Sequence, residues 1–102
     1  INKRLLRLSP LCCYVYVIGT IERRGGKASL TCRTYIGWTK DLEGRLSAHN
    51  SGTGARSTRG RKWTLLYAER YPSRGEAMSR EWYLKRDRKF RRNLAGVMMA
   101  KV

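Results

Sequence analysis

The chain has 102 residues, with 23 Lys or Arg against 7 Asp or Glu, for a formal charge of +16 at pH 7. A length of this order supports one core and a single domain over 1–102, and the charge makes a polyanion the expected partner. No apolar run approaches the roughly 20 residues of a bilayer-crossing helix, which excludes a helical membrane span and leaves no role for a membrane.

The N-terminal segment, Ile1 to Arg7, is basic and carries leucines, but Pro10 and the strand that follows leave no room for the apolar stretch and cleavage site of a signal peptide. A first residue of Ile rather than Met is expected to mean that residues upstream are missing. Cys12, Cys13 and Cys32 form an odd set without CxxC spacing, beside one histidine, a set that does not offer four zinc ligands at workable geometry. They read as small apolar residues of a reducing cytoplasm, the alternative being a cross-strand bridge from Cys32 to Cys12 or Cys13.

Cys13 to Gly19 is β-branched and aromatic and predicts a buried strand. Glu22 to Lys27, with Gly25-Gly26, predicts a basic, mobile loop, and Thr31 to Trp38 predicts the second strand of an antiparallel hairpin. Thr39 is the expected cap of a helix starting near Lys40 and stopping near Asn50-Ser51-Gly52; on it Leu42 and Leu46 share one face while Arg45 and His49, one turn apart, share another. From Gly52 to Lys62 small polar residues alternate with cations, as in a flexible cationic loop, and Trp63 to Tyr71 predicts a third strand. Ser73 with Glu76 forms a capping box for a helix over Arg74 to Asp87. Phe90, Leu94, Val97 and Met98 predict a last helix packed by that stripe. The order β-β-α-β-α-α defines a small α/β (α+β) fold around a three-stranded, mainly antiparallel sheet.

Within this order Tyr14-Val15-Tyr16, Tyr35-Ile36-Gly37, Arg45, His49 and Glu81 closely resemble the motifs of the GIY-YIG endonuclease superfamily, over about residues 14 to 93. The run Tyr-Ile-Gly-Trp-Thr-Lys-Asp-Leu into Arg45-Leu46 and His49-Asn50, and Glu76-Ala77 ahead of Arg80-Glu81, is similar to the small stand-alone bacterial members. Their fold resembles the nuclease module of the excision-repair incision subunit and of intron homing endonucleases. Two departures stand out: the first motif reads Tyr-Val-Tyr rather than Gly-Ile-Tyr, and the stretch between the motifs is longer than typical.

The resemblance implies a divalent-metal-dependent DNA endonuclease of repair, recombination or DNA processing, in a bacterial cytoplasm and associated with the nucleoid. Phosphodiester hydrolysis needs an activated water, stabilised phosphoryl oxygens and help for the leaving 3′ oxygen. Glu81 is the expected lone side-chain ligand of one Mg²⁺ or Mn²⁺, with no organic cofactor, since a single carboxylate plus waters suits a hard octahedral ion. Arg45 would fork onto the scissile phosphate. His49 is implied to orient the water or a tyrosine hydroxyl. Tyr16 is expected as general base and Tyr35 as organiser of the water or metal shell, the two roles being exchangeable.

Gly37 reads as a close backbone approach near the second tyrosine and Lys40 as a phosphate contact, and Asn93 resembles a phosphate-supporting asparagine of many members. Arg56, Arg59, Arg61 and Lys62, with the C-terminal cations, would bind DNA, whether single-stranded, branched or duplex, with little sequence preference. The competing reading is a non-catalytic DNA- or RNA-binding module that retains the fold. Oligomeric state is left open by the sequence.

Overall fold

Alternation along Cys13–Arg23, strand β1, decides the architecture. Cys13, Val15 and Val17 are buried in one hydrophobic cluster and Tyr16 and Ile18 in another, so β1 is covered on both faces. In this computed structural model, which describes residues 12–23 and 29–102, β1 accordingly lies at the centre of a three-stranded sheet. Its neighbours are β2 (Leu30–Thr39) and β3 (Thr64–Tyr71), both antiparallel to it, in the order β2-β1-β3. The expected antiparallel sheet is present with longer hairpin strands, because β1 and β2 remain paired out to Arg23 and Leu30. Most of the expected basic loop falls on 24–28, outside the described residues.

Helix α1 (Leu42–Ser51) covers the Tyr16 face with Leu42 and Leu46. Its cap is Asp41 rather than Thr39: the Asp41 carboxylate accepts from the Gly44 N–H at 3.0 Å. Thr39 serves one step earlier, its hydroxyl accepting from the Asp41 N–H at 3.1 Å and so fixing the entry of the helix. At the far end Gly52 turns left-handed, φ 87°, and returns its N–H to Ala48.

The other face is covered by α2 (Arg74–Arg86) and α3 (Arg88–Met99). Ala77 and Leu84 of α2 pack on Cys13, Val15 and Val17, with Phe90 and Leu94 of α3 beside them. The expected capping box forms at Ser73, and Asp87 ends α2 while its carboxylate caps α3 through the Phe90 N–H at 3.0 Å. The last-helix stripe is only partly used: Val97 is 57% exposed, because it lines an open apolar groove of about 330 Å³ with Leu65 and Val102. Between sheet and α2, Glu69 accepts a forked pair from Arg80 at 2.8 and 3.1 Å and the hydroxyls of Tyr67 and Tyr71.

The three cysteines are free thiols. Cys32 lies opposite Ile21 in the sheet register and Cys13 opposite Tyr71, so the strand itself separates them and forbids the alternative cross-strand bridge. No described helix is long and apolar enough to cross a membrane.

Candidate active site

Two tyrosines face α1 because β1 and β2 are in strict register there: Tyr16 pairs with Gly37 and Ile18 with Tyr35. Tyr16 is 2% exposed, and its ring lies across Gly37 towards the sheet edge. A Cβ on Gly37 would collide with the Tyr16 hydroxyl and stand 2.7 Å from Cζ. The close approach expected at this glycine therefore belongs to the first tyrosine, across the strand pair, rather than to the second beside it in sequence. Tyr35 is half-buried, its ring centroid 6.4 Å from that of Tyr16 and 5.0 Å from the His49 ring.

His49, in the last turn of α1, is fully buried, with its Nε2 2.8 Å from the Tyr16 hydroxyl and its Nδ1 2.8 Å from the Thr58 hydroxyl. Thr58 donates its own proton to the Ala55 carbonyl at 2.8 Å, so its oxygen must accept from His49 Nδ1–H. That assigns the tautomer: Nε2 carries the lone pair and receives the Tyr16 O–H. Burial, then the positive charge of Arg45, holds the imidazole below its ordinary range, which keeps it neutral. Gly54 closes over the ring, where a Cβ would stand 2.7 Å from Nδ1.

Thr58 was not among the residues singled out from the sequence. It belongs to a 3₁₀ turn, Arg56–Thr58, inside the segment expected to be a flexible loop. The turn is held by Trp63, whose indole N–H donates to the Thr58 carbonyl at 2.8 Å, and by Asn50, which bridges the Trp63 backbone N–H and carbonyl. The readable signal was Trp63, a large buried aromatic whose N–H needs a partner.

Arg45, on the same helix as His49, faces both phenols, and their hydroxyls favour its charge. Among the described residues it pairs with no carboxylate. Burial pushes the Tyr16 phenol up to about 12 against the opposing pull of Arg45, with the charges of Tyr35 and Glu81 adding to the rise. At rest the proton stays on Tyr16.

Glu81 comes from α2, in the layer opposite α1, yet acts electrostatically on the Tyr16 phenol, whose ring reaches towards the β2 edge. Its side chain is 20% exposed, with Lys85 at 3.7 Å as its nearest cation. Among the described residues no three acids, histidines or cysteines group as a metal cage. The donor chemistry at Glu81 is that of one hard carboxylate with room for water, which fits a sparsely held magnesium-type ion.

The remaining predicted residues spread over the surface. Lys40, Arg56, Arg59 and Lys62 are exposed, whereas Arg61 is engaged by Glu22 at 3.0 Å. Asn93 is exposed on α3, away from α1, and makes no hydrogen bond among the described residues.

Two phenols, a guanidinium and a buried imidazole thus gather over one face of the sheet. A family model for the GIY-YIG catalytic domain matches residues 12–93, and the chain belongs to that nuclease family. It is 51% identical over 53 residues to a UPF0213 protein of Clostridium perfringens, covering 51% of this chain and 57% of the relative. Over 64 residues it is 48% identical to a UPF0213 protein of Streptococcus pneumoniae serotype 4, covering 59% of this chain and 65% of the relative. A UPF0213 protein of Halobacterium salinarum is 46% identical over 52 residues, 50% of this chain and 68% of the relative. The chain thus spans 57% and 65% of the length of the first two. No solved structure matches it.

Proposed function

We propose that the chain is a divalent-metal-dependent DNA endonuclease that hydrolyses phosphodiester bonds with little sequence preference, acting in repair, recombination or other DNA processing. The observation that carries this reading is the continuous hydrogen-bonded path Tyr16 to His49 to Thr58, roofed by an arginine free of any described carboxylate.

Because Tyr16 is almost wholly covered, the attacking water enters beside the half-buried Tyr35, which orders it. As the water oxygen bonds to phosphorus and the bond from phosphorus to the 3′ oxygen breaks, the water's proton passes to the Tyr16 oxygen and the Tyr16 proton passes to His49 Nε2, so no free phenolate has to accumulate, and the departing 3′ oxygen takes its proton from solvent. His49 keeps its second proton on Nδ1, held by Thr58, and becomes an imidazolium. Arg45 takes the charge that builds on the phosphoryl oxygens, with a geometry suited to a forked contact. Glu81 would hold one Mg²⁺ or Mn²⁺, which when bound supplies the positive charge that eases ionisation of the water and departure of the 3′ oxygen. Exposed Lys40, Arg56, Arg59 and Lys62 contribute sequence-independent attraction to the backbone.

Incubating the protein and its Glu81→Ala variant with supercoiled, branched and single-stranded DNA, each with Mg²⁺ or Mn²⁺, tests this. The variant is expected to bind all three and cut none. Equal cutting by both proteins would remove Glu81 from the mechanism, and cutting by neither would leave a DNA-binding module.

A further inference from the structure

On the face of β2 turned to α3, away from α1, Arg88, Arg91 and Arg92 of α3 converge with Cys32 and Thr34 around an open cavity of about 320 Å³. No described carboxylate pairs with any of the three guanidiniums, although like charges this close repel. Arg91 Nε is buried and has no hydrogen-bond partner, in a protein where every other buried side-chain N or O among the described residues has one. Three guanidiniums without a described carboxylate partner, one of them with a donor that has no acceptor, and Thr34 on the same cavity wall make a cavity suited to an anion.

We propose that this cavity is a second phosphate-binding site, and that it holds one backbone phosphate of the DNA lying across the β2 edge. The proposal rests on the reading of the chain as a DNA-cleaving enzyme. Thr34 and Cys32 are three and five residues along β2 from Gly37, the residue beneath the Tyr16 ring, or about 10 and 17 Å at strand rise. Alternation turns Thr34 and Cys32 to the face covered by α3 and Tyr35 and Gly37 to the face covered by α1, so the DNA passes round the β2 edge, and at about 3.4 Å of rise per nucleotide the held phosphate lies at least about three nucleotides from the one being cut. Arg91 with its neighbours thereby fixes the register of the strand in the catalytic site, and sets a minimum length for a good substrate.

The test is the salt dependence of DNA binding, measured by fluorescence anisotropy in a Glu81→Gln background so that no cutting intervenes. It uses the full chain, with Arg91→Gln and the exposed pair Arg88→Ala/Arg92→Ala as separate variants and circular dichroism as the check on folding. One phosphate held jointly predicts that either variant lowers the slope of log K against log salt by about one, and that combining all three substitutions lowers it by no more. A fall of about three in the combined variant would mean three independent surface cations, and an unchanged slope would mean no contact; either overturns the proposal. Inorganic phosphate at constant ionic strength distinguishes the source, being expected to bind only weakly. Tight phosphate binding with an unaltered DNA slope would assign the cavity to a free anion and also refute it. Because binding is read without cleavage, these outcomes stand whether or not the protein proves to be a nuclease.

Discussion

The Tyr16 hydroxyl and His49 Nε2 stand 2.8 Å apart, joining the middle strand of the sheet to the last turn of α1 across 33 positions of sequence. In the proposed mechanism the bond gives a phenol held at about 12 a partner that takes its proton. His49→Ala should lower single-turnover cleavage by about 10²- to 10⁴-fold, the usual worth of a positioned proton acceptor, with little effect on DNA affinity. Quench-flow cleavage beside anisotropy separates the two effects.

The same pair sets a pH dependence. Burial and Arg45 depress the imidazole, so His49 stays neutral through pH 7 and protonates only below its ordinary 6.5. The acid limb of the cleavage profile should therefore fall below 6.5, with activity lost as pH drops through it. An acid limb above 7 would contradict the assignment of His49 as the neutral acceptor.

Thr58 should tolerate serine but not valine. Valine keeps the shape and leaves the buried His49 Nδ1–H without an acceptor, costing about 1 to 3 kcal/mol and freeing the ring to take the other tautomer. Thr58→Val is expected to lower both the urea midpoint and the cleavage rate, and Thr58→Ser to restore both.

Gly37→Ala should be destabilising out of proportion to one methyl group, because the space is filled by the Tyr16 phenol. Overpacking of this kind costs about 1 to 3 kcal/mol, read as a lower melting temperature. A Gly37→Ala/Tyr16→Phe double variant should recover part of the loss, since the hydroxyl is the nearest colliding atom.

Glu69 couples stability to acid. Burial works against its charge, but Arg80 and the hydroxyls of Tyr67 and Tyr71 outweigh that and hold the carboxyl at about 2. The folded value lies below the unfolded one, so the contribution is complete above about pH 4.5 and is lost as pH falls towards 2. After allowance for solvent screening it amounts to on the order of 1 to 2 kcal/mol. The melting temperatures of the protein and of Glu69→Gln should differ at pH 7 and converge only as pH falls to about 2.

Local chemistry made much of this fold legible. The β-branched run at Cys13 to Gly19, the capping box at Ser73 and the turn of helix that sets Arg45 four residues from His49 each obey rules that act over a few residues. The ordered motif carried family membership for the same reason, since it is written in residue types at fixed intervals. The cap of α1 moved by two residues because Thr39 and Asp41 are both competent and the chain uses them in succession.

Tertiary structure decided what those rules leave free. Strand register put Gly37 under Tyr16 instead of beside Tyr35, and helix packing left Val97 lining a groove. A distant acid, Glu22, claimed Arg61 out of a stretch of similar cations. Thr58 is one polar residue among many in a glycine-rich segment, and nothing adjacent in sequence marks it. Its role arises when Trp63 and Asn50 pin the segment beneath a histidine from another element. Residue type and spacing determined which chemistry this chain carries. Contacts between segments far apart in sequence determined the direction in which its protons can move, because hydrogen bonds reach only about 3 Å and only folding brings such groups that close.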